Sequence, residues 1–134
     1  MAGPETVLAF DFGEKRIGVA LGNTISGGAR PLTTIDAGET SQRFAEIAAL
    51  LAQWSPERLV VGLPLDDTGA DTAMTRRARR FGTQLHGRFG LPVEFVDERY
   101  SSAVVEAGFG RADKARVDAA AAAVILQAWL DSNT

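Results

Sequence analysis

Acidic residues stand at three places where the surrounding sequence is apolar. Asp11 ends the run VLAFD, which has the length and composition of a buried strand. Asp97 and Glu98 end the run VEFVDE, and because neighbours on a strand point to opposite faces, at most one of them can join Asp11. Asp118 projects onto the apolar stripe of the last amphipathic segment, at its start. Each acid therefore lies at the end of an element that is otherwise buried.

Carboxylates brought close together repel, and their pKa values rise unless a cation neutralises them. The chain has no cysteine and one histidine, His86, so a metal site must consist mainly of oxygen ligands, which suit Mg²⁺ or Mn²⁺. Two such ions roughly 4 Å apart can activate a water and stabilise the leaving oxygen of a phosphodiester. Without a metal, each acid has an alternative role: Asp11 could cap the turn that follows it, and Asp118 could cap the last helix. Asp97 and Glu98 could form a solvated strand end.

Basic residues occupy two places from which they could contact a nucleic-acid backbone. Lys15 and Arg16 lie in the short link GEKR after the first strand and could hold a phosphate. Arg76, Arg79 and Arg80 project away from the apolar stripe of a helix and form a basic face. Such a face is also typical of a helix that is merely solvated.

Length and composition fit one globular domain over residues 1–134. The chain is 46% hydrophobic and 23% charged, and its net charge of -3 gives no general attraction to nucleic acid. The N-terminus lacks a basic region followed by an apolar stretch, and no apolar run approaches the roughly 20 residues that a bilayer requires. We therefore expect a cytoplasmic protein.

The hydrophobic pattern predicts an α/β fold with the order βββαβαβαα. Three strands with short links come first and should form an antiparallel meander. Apolar residues at helical spacing then alternate with the strands RLVVGLP and VEFVDE. A short helix over SSAVVEAG and a final helix over VDAAAAAVILQAWL complete the chain.

Four segments, DFGEKRIGVAL, VVGLPL, FVDERYSS and KARVDAAAAAVIL, resemble the YqgF group of the ribonuclease H-like superfamily. The resemblance runs in order over nearly the whole chain. It implies a five-stranded mixed sheet, with the first three strands antiparallel, flanked by helices. It also implies that Asp11, Glu98 and Asp118 are catalytic and bind Mg²⁺ or Mn²⁺, which selects Glu98 over Asp97.

The acids and the resemblance together predict a metal-dependent nuclease acting on structured nucleic acid. Members of the group are described as pre-16S rRNA nucleases or Holliday junction resolvases, so we expect processing of the 5′ end of pre-16S rRNA. Cleavage of branched DNA and a non-catalytic RNA or partner-binding module are the alternatives. An actin-like or sugar-kinase-like ATPase is a further alternative. Such an enzyme closes two lobes over ATP, and this chain supplies only one lobe, which argues against it. A resolvase must cut two strands symmetrically, which favours a two-fold homodimer, whereas a processing nuclease can act as a monomer.

Overall fold

The computed structural model describes residues 4–98 and 114–133, so the short helix expected over residues 101–108 lies outside the described residues. The elements are β1 (Thr6–Phe12), β2 (Arg16–Asn23), β3 (Ala29–Asp36), α1 (Thr40–Trp54), β4 (Arg58–Leu63), α2 (Ala73–Phe89), β5 (Val93–Asp97) and α3 (Lys114–Asn133). Their order agrees with the expected one. The last helix begins at Lys114, earlier than the expected start at Val117. None of the helices in these two ranges is both long and apolar enough to cross a membrane.

The strands form one sheet in the order β3-β2-β1-β4-β5, with β1 at the centre. β1, β2 and β3 pair antiparallel, whereas β4 pairs parallel to both β1 and β5. The expected mixed sheet is confirmed. Because β1, β4 and β5 are parallel, their carboxyl ends lie at the same edge of the sheet, where β2 begins. This edge therefore brings together residues from both halves of the chain.

Helices cover both faces of the sheet. α1 and α2 pack over one face, on a core that includes Phe10, Phe12 and Val61. α3 packs over the other face, on a core that includes Val7 and Ala9. Successive side chains of β1 alternate between these layers, so Asp11 follows Val7 and Ala9 on the face beneath α3.

Trp129 fixes α3 to the sheet. Its side chain is 6% exposed and belongs to the same core as Val7, Val60 and Ile125. We expect Trp129→Ala to lower the free energy of unfolding by about 3 kcal/mol, because it leaves a cavity that the surrounding sheet cannot fill. Urea unfolding followed by circular dichroism measures this loss. A decrease below about 1 kcal/mol would contradict the packing role of the ring.

Candidate active site

Two glycines beside Asp11 make room for the other two acids. Gly18 of β2 pairs with Asp11, and a Cβ atom at Gly18 would lie only 1.9 Å from the carbonyl oxygen of Asp118. Gly62 of β4 lies on the other side of β1, and a Cβ atom there would lie 2.8 Å from Oε2 of Glu98. The start of α3 and the Glu98 side chain can therefore approach Asp11 only because these positions lack side chains.

Gly18 lies outside the set of site residues predicted from the sequence. A glycine within a strand weakens it, because glycine loses backbone entropy and has no side chain to pack. Its presence between buried residues of β2 is a signal of close backbone approach, here by α3.

Asp11 and Glu98 form a hydrogen-bonded pair of carboxyl groups. Burial raises the pKa of Glu98 to about 9, with further contributions from the charge of Asp11, the hydrogen bond to it and the charge of Asp97. Burial also raises the pKa of Asp11, and the negative charge of Asp118 adds to this effect, while the hydrogen bond from Glu98 opposes it. With a pKa of about 9, Glu98 is protonated near neutral pH and donates the hydrogen bond to Asp11.

Asp118 is held by an arginine. Its Oδ2 accepts a hydrogen bond from Nε of Arg16 at 2.6 Å, and the two side chains are 26% and 35% exposed. Arg16 is the first residue of β2, so the hairpin that carries Asp11 also supplies the cation that neutralises Asp118. Arg16, expected to hold a phosphate, is thus already engaged by a carboxylate.

The Asp11–Glu98 pair supplies two of the carboxyl ligands that a divalent-cation site would use. Its ligand atoms would be carboxyl oxygens, and a cation bound between the two groups would neutralise charge that burial otherwise disfavours. Within residues 4–98 and 114–133, no three acidic or histidine side chains are arranged so that they could hold one metal ion. Asp118 acts on Asp11 through its charge, and its Oδ2 bonds to Arg16. The pair therefore fits a divalent ion, and a third ligand from Asp118 requires release of Arg16.

The basic residues predicted to bind nucleic acid differ from one another in exposure and in ion pairing. Lys15 is exposed in the β1–β2 turn, and Arg76 is exposed on α2. Arg79 donates from Nε and Nη2 to the two carboxylate oxygens of Asp71, both at 3.1 Å. Arg80 lines a pocket with Arg43, a residue of α1 that the sequence analysis missed.

We expect the metal-free protein to become less stable as pH rises from 4.5 towards 9. The raised pKa means that folded Glu98 binds its proton more tightly than the unfolded chain does, so this stabilisation is complete below 4.5 and is lost as pH approaches about 9. Glu98→Gln keeps a hydrogen-bond donor for Asp11 and cannot ionise. Near pH 8, with chelator, this variant should be more stable than wild type by several kcal/mol, because each pH unit above 4.5 removes up to about 1.4 kcal/mol from the wild type.

Urea unfolding at about pH 5 and about pH 8 measures the effect, since the difference between variant and wild type should appear only at the higher pH. Glu46→Gln is the matched control because Glu46 is exposed on α1. Equal behaviour of the two variants at both pH values would contradict the protonated pair.

Comparison with known proteins identifies the family of this chain. The model of the RuvX family, described as Holliday junction resolvase, matches residues 5–132. Proteins of Paraburkholderia phytofirmans and Burkholderia cenocepacia named "Putative pre-16S rRNA nuclease" are each 54% identical to this chain, over 130 and 132 residues. Each alignment covers 94% of this chain, and 88% and 89% of those proteins respectively.

Two solved structures of Thermus thermophilus RuvC share the fold. RuvC in complex with Holliday junction substrate is 17% identical with a TM-score of 0.58, and RuvC alone is 18% identical with a TM-score of 0.53. Each alignment covers 96% of this chain and 95% of RuvC. The fold is thus ribonuclease H-like, as the resemblance implied. The family implies a divalent metal ion, which the Asp11–Glu98 pair fits. With the family match spanning residues 5–132, the chain belongs to the RuvX family, also called YqgF.

Proposed function

We propose that this chain is a cytoplasmic, metal-dependent nuclease that hydrolyses phosphodiester bonds in pre-16S rRNA. Family membership and the names of its relatives support nuclease activity and this substrate. The observation that carries the proposal is the hydrogen-bonded Asp11–Glu98 pair beside Asp118 at the end of the central strand. We further propose that residues 1–134 act as one nuclease domain.

Asp11, Glu98 and Asp118 are the proposed catalytic and metal-binding residues. Mg²⁺ or Mn²⁺ held by these carboxylates would neutralise their charge, lower the pKa of a water and stabilise the leaving oxygen. Glu98 would have to lose its proton to bind the ion, and the positive charge of the ion would favour this loss against the burial that raises the pKa of Glu98. Arg16 would exchange Asp118 for the scissile phosphate, which would free the third carboxylate and position the substrate.

The proposed contacts to the remainder of the backbone come from other cations. Lys15 is exposed in the turn between β1 and β2, next to Arg16. Arg76, Arg79 and Arg80 lie on the exposed side of α2 and extend this basic region. Such contacts position the strand and do not depend on its sequence.

Cleavage of a pre-16S rRNA fragment and a four-way DNA junction in parallel tests the proposal. We expect cleavage of the RNA with Mg²⁺ or Mn²⁺ and none with chelator. Preferential cleavage of the junction would favour a resolvase, an alternative that the family description supports, and would call for a two-fold dimer in sedimentation analysis. Binding of the RNA without cleavage in any metal would overturn the nuclease proposal and leave a binding module.

A further inference from the structure

A pocket of about 380 Å³ lies on the opposite face of the sheet from the carboxylates. We refer to it as the arginine pocket, because Arg43 of α1 and Arg77 and Arg80 of α2 line it. Phe12 forms part of its wall and follows Asp11 directly in β1, so the two side chains point to opposite faces. The β1–β2 turn separates the pocket from the candidate active site.

Arg43 is held rigidly in this pocket by aromatic rings and the backbone. Its guanidinium carbon lies 5.5 Å from the ring centroid of Phe12 and 5.4 Å from that of Phe44. Nη1 donates to the carbonyl oxygen of Ala37 at 3.2 Å. Nε is buried and has no hydrogen-bond partner among the described residues. The rings and the carbonyl therefore fix the guanidinium at the wall of the pocket.

Positive charge predominates in the arginine pocket. Arg77 donates from Nη1 to Oε1 of Glu14 at 3.3 Å, an exposed pair at the rim. Arg80 is exposed and forms no ion pair with a residue in the described ranges. Burial lowers the pKa of Arg43, and the nearby positive charges of Arg77 and Arg88 lower it further. In a chain of net charge -3, three guanidinium groups against one carboxylate form a local site for an anion.

We propose that the arginine pocket binds a backbone phosphate of the nucleic-acid substrate. The inference rests on the proposed function, because it requires the nucleic-acid strand that reaches the carboxylates to continue across the β1–β2 turn. Lys15 is exposed in this turn and lies on that path. Phosphate oxygens can accept from several guanidinium groups at once, which matches the three arginines better than a single carboxylate would. Bound phosphate would replace the weak rim contact from Arg77 to Glu14.

Binding of the pre-16S rRNA fragment in chelator, at several salt concentrations, tests the inference without requiring catalysis. Arg80→Gln is the main variant because Arg80 is exposed and its replacement leaves the core intact. We expect its dissociation constant to rise about tenfold and the slope of log affinity against log salt to fall by about 0.7 to 0.9. Arg77→Gln should behave in the same way. Arg30→Gln, at the other end of the sheet, is the matched control and should leave both quantities unchanged.

The outcomes separate this inference from the proposed function. Cleavage by wild type with an unchanged salt slope for Arg80→Gln overturns the inference and the backbone contact proposed for Arg80, while the proposed nuclease activity stands. Binding without cleavage, with the reduced slope for Arg80→Gln, overturns the proposed function alone. Absence of RNA binding by wild type overturns both. If inorganic phosphate raises the melting temperature of wild type but not of Arg80→Gln while both bind RNA equally, the pocket takes free phosphate and the inference is wrong.

Discussion

Replacing Asp118 with asparagine is expected to abolish metal-dependent cleavage while leaving binding of nucleic acid intact. Asp118 contributes negative charge beside Asp11 and is the proposed third metal ligand. A neutral amide would bind a divalent ion poorly, and we expect the cleavage rate to fall about 100-fold or more, the size seen when a group that stabilises transition-state charge is removed. Binding should tighten, because the substitution releases Arg16 from its 2.6 Å ion pair and removes a charge that repels phosphate.

Single-turnover cleavage and metal-free binding of the same pre-16S rRNA fragment separate these effects. Asp131→Asn is the matched control, because Asp131 is an exposed acid on the same helix whose contact to Gln127 survives as an amide contact. The control should cleave and bind as wild type does. An Asp118→Asn protein that cleaves within about threefold of the control would contradict the catalytic assignment, since the expected loss is far larger.

Gly18→Ala should disrupt the candidate site by displacing α3. The added Cβ would lie 1.9 Å from the carbonyl oxygen and 2.3 Å from the carbonyl carbon of Asp118, and these backbone atoms cannot move without the helix. We expect the free energy of unfolding to fall by about 4 kcal/mol, above the roughly 1 to 3 kcal/mol usual for overpacking, because the clash is with backbone. Cleavage should fall with it, since Asp118 moves away from Asp11.

Urea unfolding and cleavage by the fraction that remains folded measure both consequences. Gly87→Ala is the matched control, because nothing lies within 4 Å of a Cβ atom at this exposed position of α2. Alanine there should stabilise the helix by about 0.5 to 1 kcal/mol. A Gly18→Ala protein as stable as wild type would show that α3 does not depend on this close approach.

Local pattern in the sequence was sufficient to predict the order of the elements and the residues that share a strand face with Asp11. Strand alternation places Asp11 on the same face as Val7 and Ala9, and the structure has these residues beneath α3. Helical periodicity likewise predicted an apolar stripe along the last helix, and the structure packs Ile125 and Trp129 of this helix against the sheet. These predictions succeed because burial repeats with the period of the element itself. The choice of Glu98 over Asp97 came from resemblance to a family, because alternation alone left it open.

Contacts between residues distant in sequence were decided only by the tertiary structure. The ion pair of Arg16 with Asp118 joins β2 to α3, and the arginine pocket joins α1 to α2. Neither has a periodic signal, because each depends on how two separate elements pack. The raised pKa of Glu98 is of the same kind, since it arises from burial and from the proximity of Asp11. Sequence thus determined which residues could do chemistry, while packing determined which charges meet and which donors remain available.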